Sequence, residues 1–545
     1  MKRSQRPARN LSSPAVSAAL PLLERYSLPL ALCLIAIAAV RIVSTYTAFA
    51  DVGDEPAHLA CGLEYVAQHV YRYETQHPPL ARAMAALGPY LDGARPVGEP
   101  NPEWEGDAIL CHSGHPGRTL FLARLGVLPF FLLACLVVYF WARHHFGNSA
   151  AVRATGLFTL LPPVLAHAGL ATTDMALTAC LGAAFFSLVL WAEKPTLPRS
   201  LLLGGATALA ALSKFTALGF LPAGAVLALA AYIAVERPGL NKLAALARER
   251  AAPFGLAVLT GALLIWAGYW FSLGPLPAPK FFDGVRNAMR HNATGHTAYL
   301  LGQVSKTGWW YFFPVALAVK TPIAFLLLLA WGGYLTVGAR HARPLLPWAF
   351  SLGILLPAMT SHVNIGVRHV LPIYIGLSIV AGQVGDLPHL PHGKRAGIVV
   401  VVLLLWLAIT GALHHPDYLA YFNELVGSQP EKVLVDSDLD WRQDTKRLAG
   451  RLKELGATEV SFGQFIWKAQ CLDAWPGLPH PRPIDPLVPV EGWTAVGPTL
   501  AKTTQYGLDY RYPNLKPWFE YIQPVERVGS LLLYYVPPGT LRQAQ

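Results

Sequence analysis

Charge is what this sequence lacks most. Of its 545 residues only 14% are Asp, Glu, Lys or Arg, against roughly a quarter in an average soluble domain. That scarcity excludes a chain that is water-soluble along its whole length. Cysteine is also scarce, and six residues are too few for a disulfide scaffold. No internal repeat or low-complexity tract is visible, which argues against a transporter assembled from repeated halves.

Apolar length takes the place of charge. The chain is 53% hydrophobic, and runs long enough to cross a bilayer recur along most of it. They predict about eleven spans, near 28–50, 120–141, 151–168, 175–192, 201–218, 220–235, 253–273, 311–335, 345–359, 370–384 and 396–413. "TAFA" before Asp51 looks like a signal-peptidase site, but Arg41 interrupts the preceding run and its length suits a retained span. Residues 1–413 read as a transmembrane domain and 414–545 as a soluble α/β domain. In the latter, "KVLVD", "ATEVSFG", "WTAVGP" and "SLLLYYVP" predict strands, and "RQDTKRLAGRLKELG" predicts a helix stopped by glycine.

The net charge of +11 does not point to nucleic acid, because alternate loops are basic and the intervening ones hold most of the acidic residues of the membrane part. Lys2, Arg3, Arg6 and Arg9, then Arg237, Lys242, Arg248 and Arg250, then Arg340 and Arg343 belong to the basic set. The positive-inside bias assigns that set to the cytoplasm. The N-terminus is then cytoplasmic, and the remaining loops with the C-terminal domain face outward, into the periplasm if the membrane is a bacterial inner membrane.

The first outward loop opens with three carboxylates, Asp51, Asp54 and Glu55. Leu59, Leu63, Val66 and Val70, and after Pro78–Pro79 the series Leu80, Ala83, Leu87 and Leu91, recur at helical spacing. They predict two amphipathic helices lying apolar face down on the membrane. Asp54 would cap the first of them. Cys61 and Cys111 share this loop, and a bridge between them is open.

Asp174 repeats the pattern of an acid at a span end, with Thr172 and Thr173 beside it. Two carboxylates on one face can deprotonate a hydroxyl or hold a divalent cation. Lys320, Arg368 and His369 form a cationic set at the late spans. Cations beside carboxylates at headgroup depth suit a phosphate carried on a lipid, with Arg making paired hydrogen bonds and Lys acting as a point charge. His58, His77 and Asn364 complete the expected cleft, and a metal, if bound, would use Asp54, Asp174 or His77. Asp436, Asp438 and Asp440 in "DSDLDW" read as turn and cap residues rather than metal ligands.

"GDEPAH", "HPPL" and "TTDMAL", in that order and placement, resemble the polyprenyl-phosphate-sugar glycosyltransferases of GT-C fold, the superfamily of the protein O-mannosyltransferases and lipid A aminoarabinose transferases. "YFFPVALAVKTP", "NIGVRHVLPIY" and "HPDYLAYFNELVG" look like its bacterial phospholipid-carrier-dependent branch. The resemblance implies transfer of a sugar, with inversion, from a polyprenyl phosphate to a hydroxyl of a glycan, lipid or protein. It implies Asp54 as general base, with Glu55 beside it and Asp174 as the second acid. The aminoarabinose enzymes carry an acidic–basic pair before their prolines where this chain has Gln76 and His77. A lipid-linked-glycan flippase and a non-catalytic assembly subunit are the competing readings.

Overall fold

The computed structural model describes residues 14–385, 393–463, 478–479, 481–511 and 515–540. The basic residues Lys2, Arg3, Arg6 and Arg9 lie outside them. Each apolar run becomes helix, the form that satisfies every backbone group internally in lipid. Six helices among the described residues are long and apolar enough to span: Arg25–Thr45, Pro116–Leu160, Asp174–Glu193, Ala217–Glu236, Leu240–Gly268 and Arg395–Leu413.

The other expected spans fall on broken or shorter helices. The run 151–168 occupies the end of Leu128–Leu160, beyond a break at Gly147 (φ 85°), together with the short helix Pro162–Ala168. Runs 201–218, 345–359 and 370–384 become Leu197–Ser213, Leu346–Ala358 and Ile373–Gly382. Run 311–335 is bent by 113° between Phe312–Lys320 and Ile323–Thr336. Pro322 explains the break, since it lacks an N–H and forces Thr321 out of helical geometry (φ −98°, ψ 130°). Lys320 therefore sits at the corner of a broken helix rather than deep in a continuous span. A large buried cluster joins these helices, with Trp141 packed on Phe185 and Phe350.

The first loop folds into helices Glu55–Gln68, Pro79–Leu91 and Pro102–His112, and Pro116–Leu125 is the first segment of the span that follows. The apolar stripe of the first is covered by protein, not left for lipid. Leu59 and Leu63 pack with Ala86, Ile109 and Leu120. Gly62 permits the closest approach, since an added Cβ would lie 2.1 Å from the Arg82 carbonyl oxygen. On the second helix Leu87 and Leu91 stay exposed. The open question of a Cys61–Cys111 bridge is settled against it: Cys61 is a buried free thiol among Tyr71, Phe215 and Tyr269, whereas Cys111 is in a disulfide.

After the last span the chain does not leave the helical body at once. The expected strand "KVLVD" is instead a turn at Pro430–Lys432 followed by Leu434 and Val435, buried against helical and hairpin side chains. Two short strands, β1 (Ala298–Leu300) and β2 (Gln303–Ser305), form that hairpin. The remaining predicted strands form. β3 (Val460–Gly463), β4 (Pro481–Pro483), β5 (Gly492–Val496), β6 (Glu526–Val528) and β7 (Leu531–Val536) make one mixed sheet in the order β4-β3-β5-β7-β6. Helix Thr445–Glu454 packs on Ala495 and Leu533, while Leu500 of helix Pro498–Arg511 packs on Val496 and Tyr534. Because adjacent strand residues point to opposite faces, the helices cover both sides of the sheet.

Candidate active site

The three acids that open the first loop meet three different arginines. Asp51 pairs with Arg442 (2.9 Å), Asp54 with Arg368 (2.7 Å) and Glu55 with Arg124 (2.8 Å). Their exposures separate their roles. The side chains of Asp51 and Glu55 are 1% exposed, but that of Asp54 is 36% exposed. Asp54 stands at the N-cap position of its helix without making a cap hydrogen bond. Its carboxylate accepts instead from the Arg368 guanidinium, 314 residues later.

Glu55 is fully engaged. Its oxygens accept from Arg124 Nε and Nη2 and from the Val52 and Ala171 amides, each at 2.8 Å. Arg124 also donates to the Tyr46 and Ala50 carbonyls. This clamp fixes the loop that carries Asp54. Removing one partner of such a buried pair costs about 3–5 kcal/mol. Glu55→Ala is therefore expected to lower the unfolding temperature markedly in detergent thermal scans, with Glu55→Gln intermediate.

Asp174 opens its helix and is buried, accepting from Lys214 Nζ (2.6 Å) and Thr172 Oγ1 (3.2 Å), with Arg368 Nη1 at 3.9 Å. Arg368 thus sits between Asp54 and Asp174. Its guanidinium lies over the Trp441 ring at 4.0 Å, and its buried Nε has no hydrogen-bond partner. Partial burial works against the charge of Asp54, and Arg368 with His58 outweighs it, holding the carboxyl below the usual carboxylate range. His369 lies next to Arg368 near Phe313. Burial, with Lys214 and Arg368 nearby, holds its imidazole well below its ordinary pKa.

His58 and His77 meet edge to face at 5.3 Å between ring centres. His58 Nδ1 accepts from Arg82 Nε (3.0 Å), and Arg82 continues to Glu74. Burial and the Arg82 charge push His58 down to about 3 and His77 well below the normal histidine range. Both are neutral near pH 7. Asn364 is occupied locally, accepting from the Trp309 amide (2.7 Å) and donating to the Ser361 carbonyl (3.1 Å).

Lys320 does not touch a carboxylate oxygen. It donates to the Leu419 (2.8 Å) and Asp438 (2.6 Å) carbonyls and lies over Phe422 at 4.2 Å. The partners belong to the segment that follows the last span, which is threaded through the site. The Ala50 amide donates to the Gln443 carbonyl and the Gly53 amide to that of Trp441, on the Asp54 side. The Val367 amide donates to Asp438 Oδ1, on the Arg368 side. Lys214, Arg124, Arg442 and Trp441 were not singled out by sequence reasoning. Lys214 carried a usable signal, being a lone cation in the apolar stretch "ALSKFTALGF".

Within this segment burial pushes Asp440 up to about 7, helped by nearby Asp444. Its Oδ1 is buried without a partner. A carboxyl whose folded pKa lies above its unfolded value stabilises below the unfolded pKa, and that stability is lost as pH rises through the folded one. Asp440→Asn should therefore stabilise the fold by a few kcal/mol at pH 8, raising the unfolding temperature there, and change it little at pH 4. Thermal scans across that range read the difference.

Among the described residues no group of three or more His, Cys, Asp or Glu side chains comes together as ligands. Asp54 and Asp174 each rest on a cation instead.

Comparison with known proteins follows the same lines. Residues 116–270 match the family model of the dolichyl-phosphate-mannose-protein mannosyltransferases. No curated protein matches by sequence. ArnT from Cupriavidus metallidurans, bound to undecaprenyl phosphate, superposes with a TM-score of 0.51 at 14% identity, over 92% of this chain and 97% of that one. Its apo form gives 0.49 at 15% identity, over 95% and 98%. The oligosaccharyltransferase of Archaeoglobus fulgidus, tethered to an acceptor peptide, gives 0.43 at 13% identity, over 86% and 62%, too loose a match to argue from. With a helical body and terminal sheet domain of this kind, the chain has the fold of the GT-C membrane glycosyltransferases, and its residues 116–270 carry the mannosyltransferase signature.

Proposed function

We propose that this protein is an inverting glycosyltransferase that moves a sugar from a polyprenyl phosphate to an acceptor hydroxyl on the outer side of a bacterial inner membrane. The observation that carries the proposal is the partly exposed Asp54 carboxylate held 2.7 Å from Arg368, whose Nε is left without a partner. ArnT holds undecaprenyl phosphate, and a carrier of that class is the donor we assign. The basic loops, placed in the cytoplasm by their charge, support the orientation. The domain division is read as residues 1–413 and 414–545, with 417–444 reaching back into the site.

In this reading Asp54 takes the proton of the acceptor hydroxyl. The hydroxyl oxygen attacks the anomeric carbon, and the carbon–oxygen bond to phosphate breaks with its electron pair leaving on the carrier. Arg368 stabilises the charge that builds on the leaving phosphate, and His369 lies beside it. Asp174, neutralised by Lys214, holds Arg368 in place, and Glu55 with Arg124 holds the Asp54 loop. Lys320 fixes the covering segment and adds positive charge below it. A phosphate that engages Arg368 draws it from Asp54, making that carboxylate more basic as the acceptor arrives. No step is routed through a metal.

The purified protein with a labelled polyprenyl-phosphate sugar and an envelope glycan fraction tests this. Labelled glycan and free polyprenyl phosphate should both appear. A donor that is only moved between leaflets identifies a flippase, and a donor left untouched rejects catalysis.

A further inference from the structure

Loop 274–310 is net basic, whereas in the first outward loop the acids outnumber the bases. Lys280, Arg286, Arg290 and His291 lie on helix Pro279–Thr294, in a loop that the proposed orientation places outside, where basic residues are normally sparse. Lys280, Asp283, Asn287, Arg290 and Thr294 recur at spacings of three and four, which sets them on one face. That face forms a wall of a groove of about 680 Å³, and residues 72–76 form the other wall.

The charges of the groove do not cancel. Asp283 is shared by Arg286 (3.2 Å) and Lys280 (3.9 Å). Glu74 is turned inward onto buried Arg82. Among the described residues no carboxylate lies within ion-pair reach of Arg290, whose Nη1 donates to Asn287 (3.2 Å). The walls are fixed. A Cβ at Gly284 would lie 2.4 Å from the Thr75 carbonyl oxygen, so only glycine allows this approach, and Asn287 donates to Thr75 Oγ1 (2.6 Å). At the far end Asn292 accepts from Ser361 Oγ (2.8 Å), in the stretch that leads to Arg368. On the other side, Glu74 and Arg82 connect the groove to His58, whose titration feels the Asp54 charge.

We propose that this groove seats a phosphate group of the acceptor, so that a nearby hydroxyl of the same molecule is presented to Asp54. The inference rests on the transferase reading and names its acceptor class: a glycan or glycolipid that bears phosphate. Arginine and lysine on a rigid wall match phosphate oxygens by paired hydrogen bonds and by charge.

The test uses the purified full chain in detergent at low salt, with fluorescently labelled glucose 6-phosphate and labelled glucose as probes. The phosphorylated probe should bind at least ten-fold more tightly than the neutral one, and inorganic phosphate should displace it. The double variant Lys280→Glu, Arg290→Glu should abolish that preference, Arg290→Lys should keep most of it, and undecaprenyl phosphate binding should be unchanged in both. Equal binding of the two probes, binding of neither, or a preference that survives the double variant would overturn the proposal. Displacement by phosphatidylglycerol nanodiscs but not by inorganic phosphate would overturn it in favour of a membrane headgroup. If undecaprenyl phosphate fails to bind the unaltered protein, the donor assignment fails while the groove result stands by itself.

Discussion

Asp54→Asn protein should fold, insert and bind its donor, yet transfer sugar about 10²–10⁴-fold more slowly, the range a positioned general base contributes. The substitution keeps the shape of the side chain and its contact with Arg368 but removes the basic oxygen. Asp54 is the right test because the neighbouring acids are spent: Asp51 and Glu55 are buried on Arg442 and Arg124. The unaltered enzyme should also carry a pH signature. Arg368 holds the free carboxyl below the usual range, so kcat/KM for the donor should stay flat on acidification until below about pH 4. The kcat profile, which reports the loaded enzyme, should fall at a higher pH, because donor phosphate then competes for Arg368. The same pairing stabilises the fold above the unfolded carboxyl pKa, and that contribution is lost as pH falls through the folded value. Full turnover by Asp54→Asn would remove this residue as the base.

Arg368→Ala should be the second large effect. Its guanidinium pairs with Asp54, lies 3.9 Å from the Asp174 that Lys214 already neutralises, and offers an unpaired Nε to a phosphate. Loss of such a charge from the leaving-group site costs about 10²–10³ in rate. With the cation gone, Asp54 loses the attraction that holds its carboxyl down. Its pKa rises, so the acid limb of the residual kcat/KM profile should move upward. Arg368→Lys should restore the limb but recover rate only in part, since lysine keeps the charge and loses the planar fork that stacks on Trp441. A fall in rate with an unmoved limb would mean that Arg368 acts on donor binding alone.

Much of this site was legible in the sequence, because ionisable groups are costly in an apolar chain and stand out against it. Asp54, Asp174 and Arg368 were each visible for that reason, and the structure brings them together. Their partners were less visible. Arg124 reaches Glu55 over 69 residues and Lys214 reaches Asp174 over 40, and one sequence carries no record of which distant charges meet. Lys320 was visible as an unusual cation, but its carbonyl partners were not, since backbone acceptors have no signature. The helices of the first loop followed from periodicity. Whether lipid or protein covers an apolar stripe depends on packing, which periodicity cannot report. "KVLVD" misled because a short run of buried aliphatic residues looks the same in a strand and in a packed turn.

The threading of residues 417–444 between the Asp54 loop and the Arg368 loop has a consequence for modular engineering. A tail exchanged between homologues at the end of the last helix, near residue 413, would discard the tryptophan under Arg368 and the backbone that Lys320 grips. A graft made at Thr445 would keep both and replace only the sheet and its flanking helices. Natural recombination would face the same constraint, so diversity in the terminal domains of chains built this way should accumulate beyond that joint and not before it.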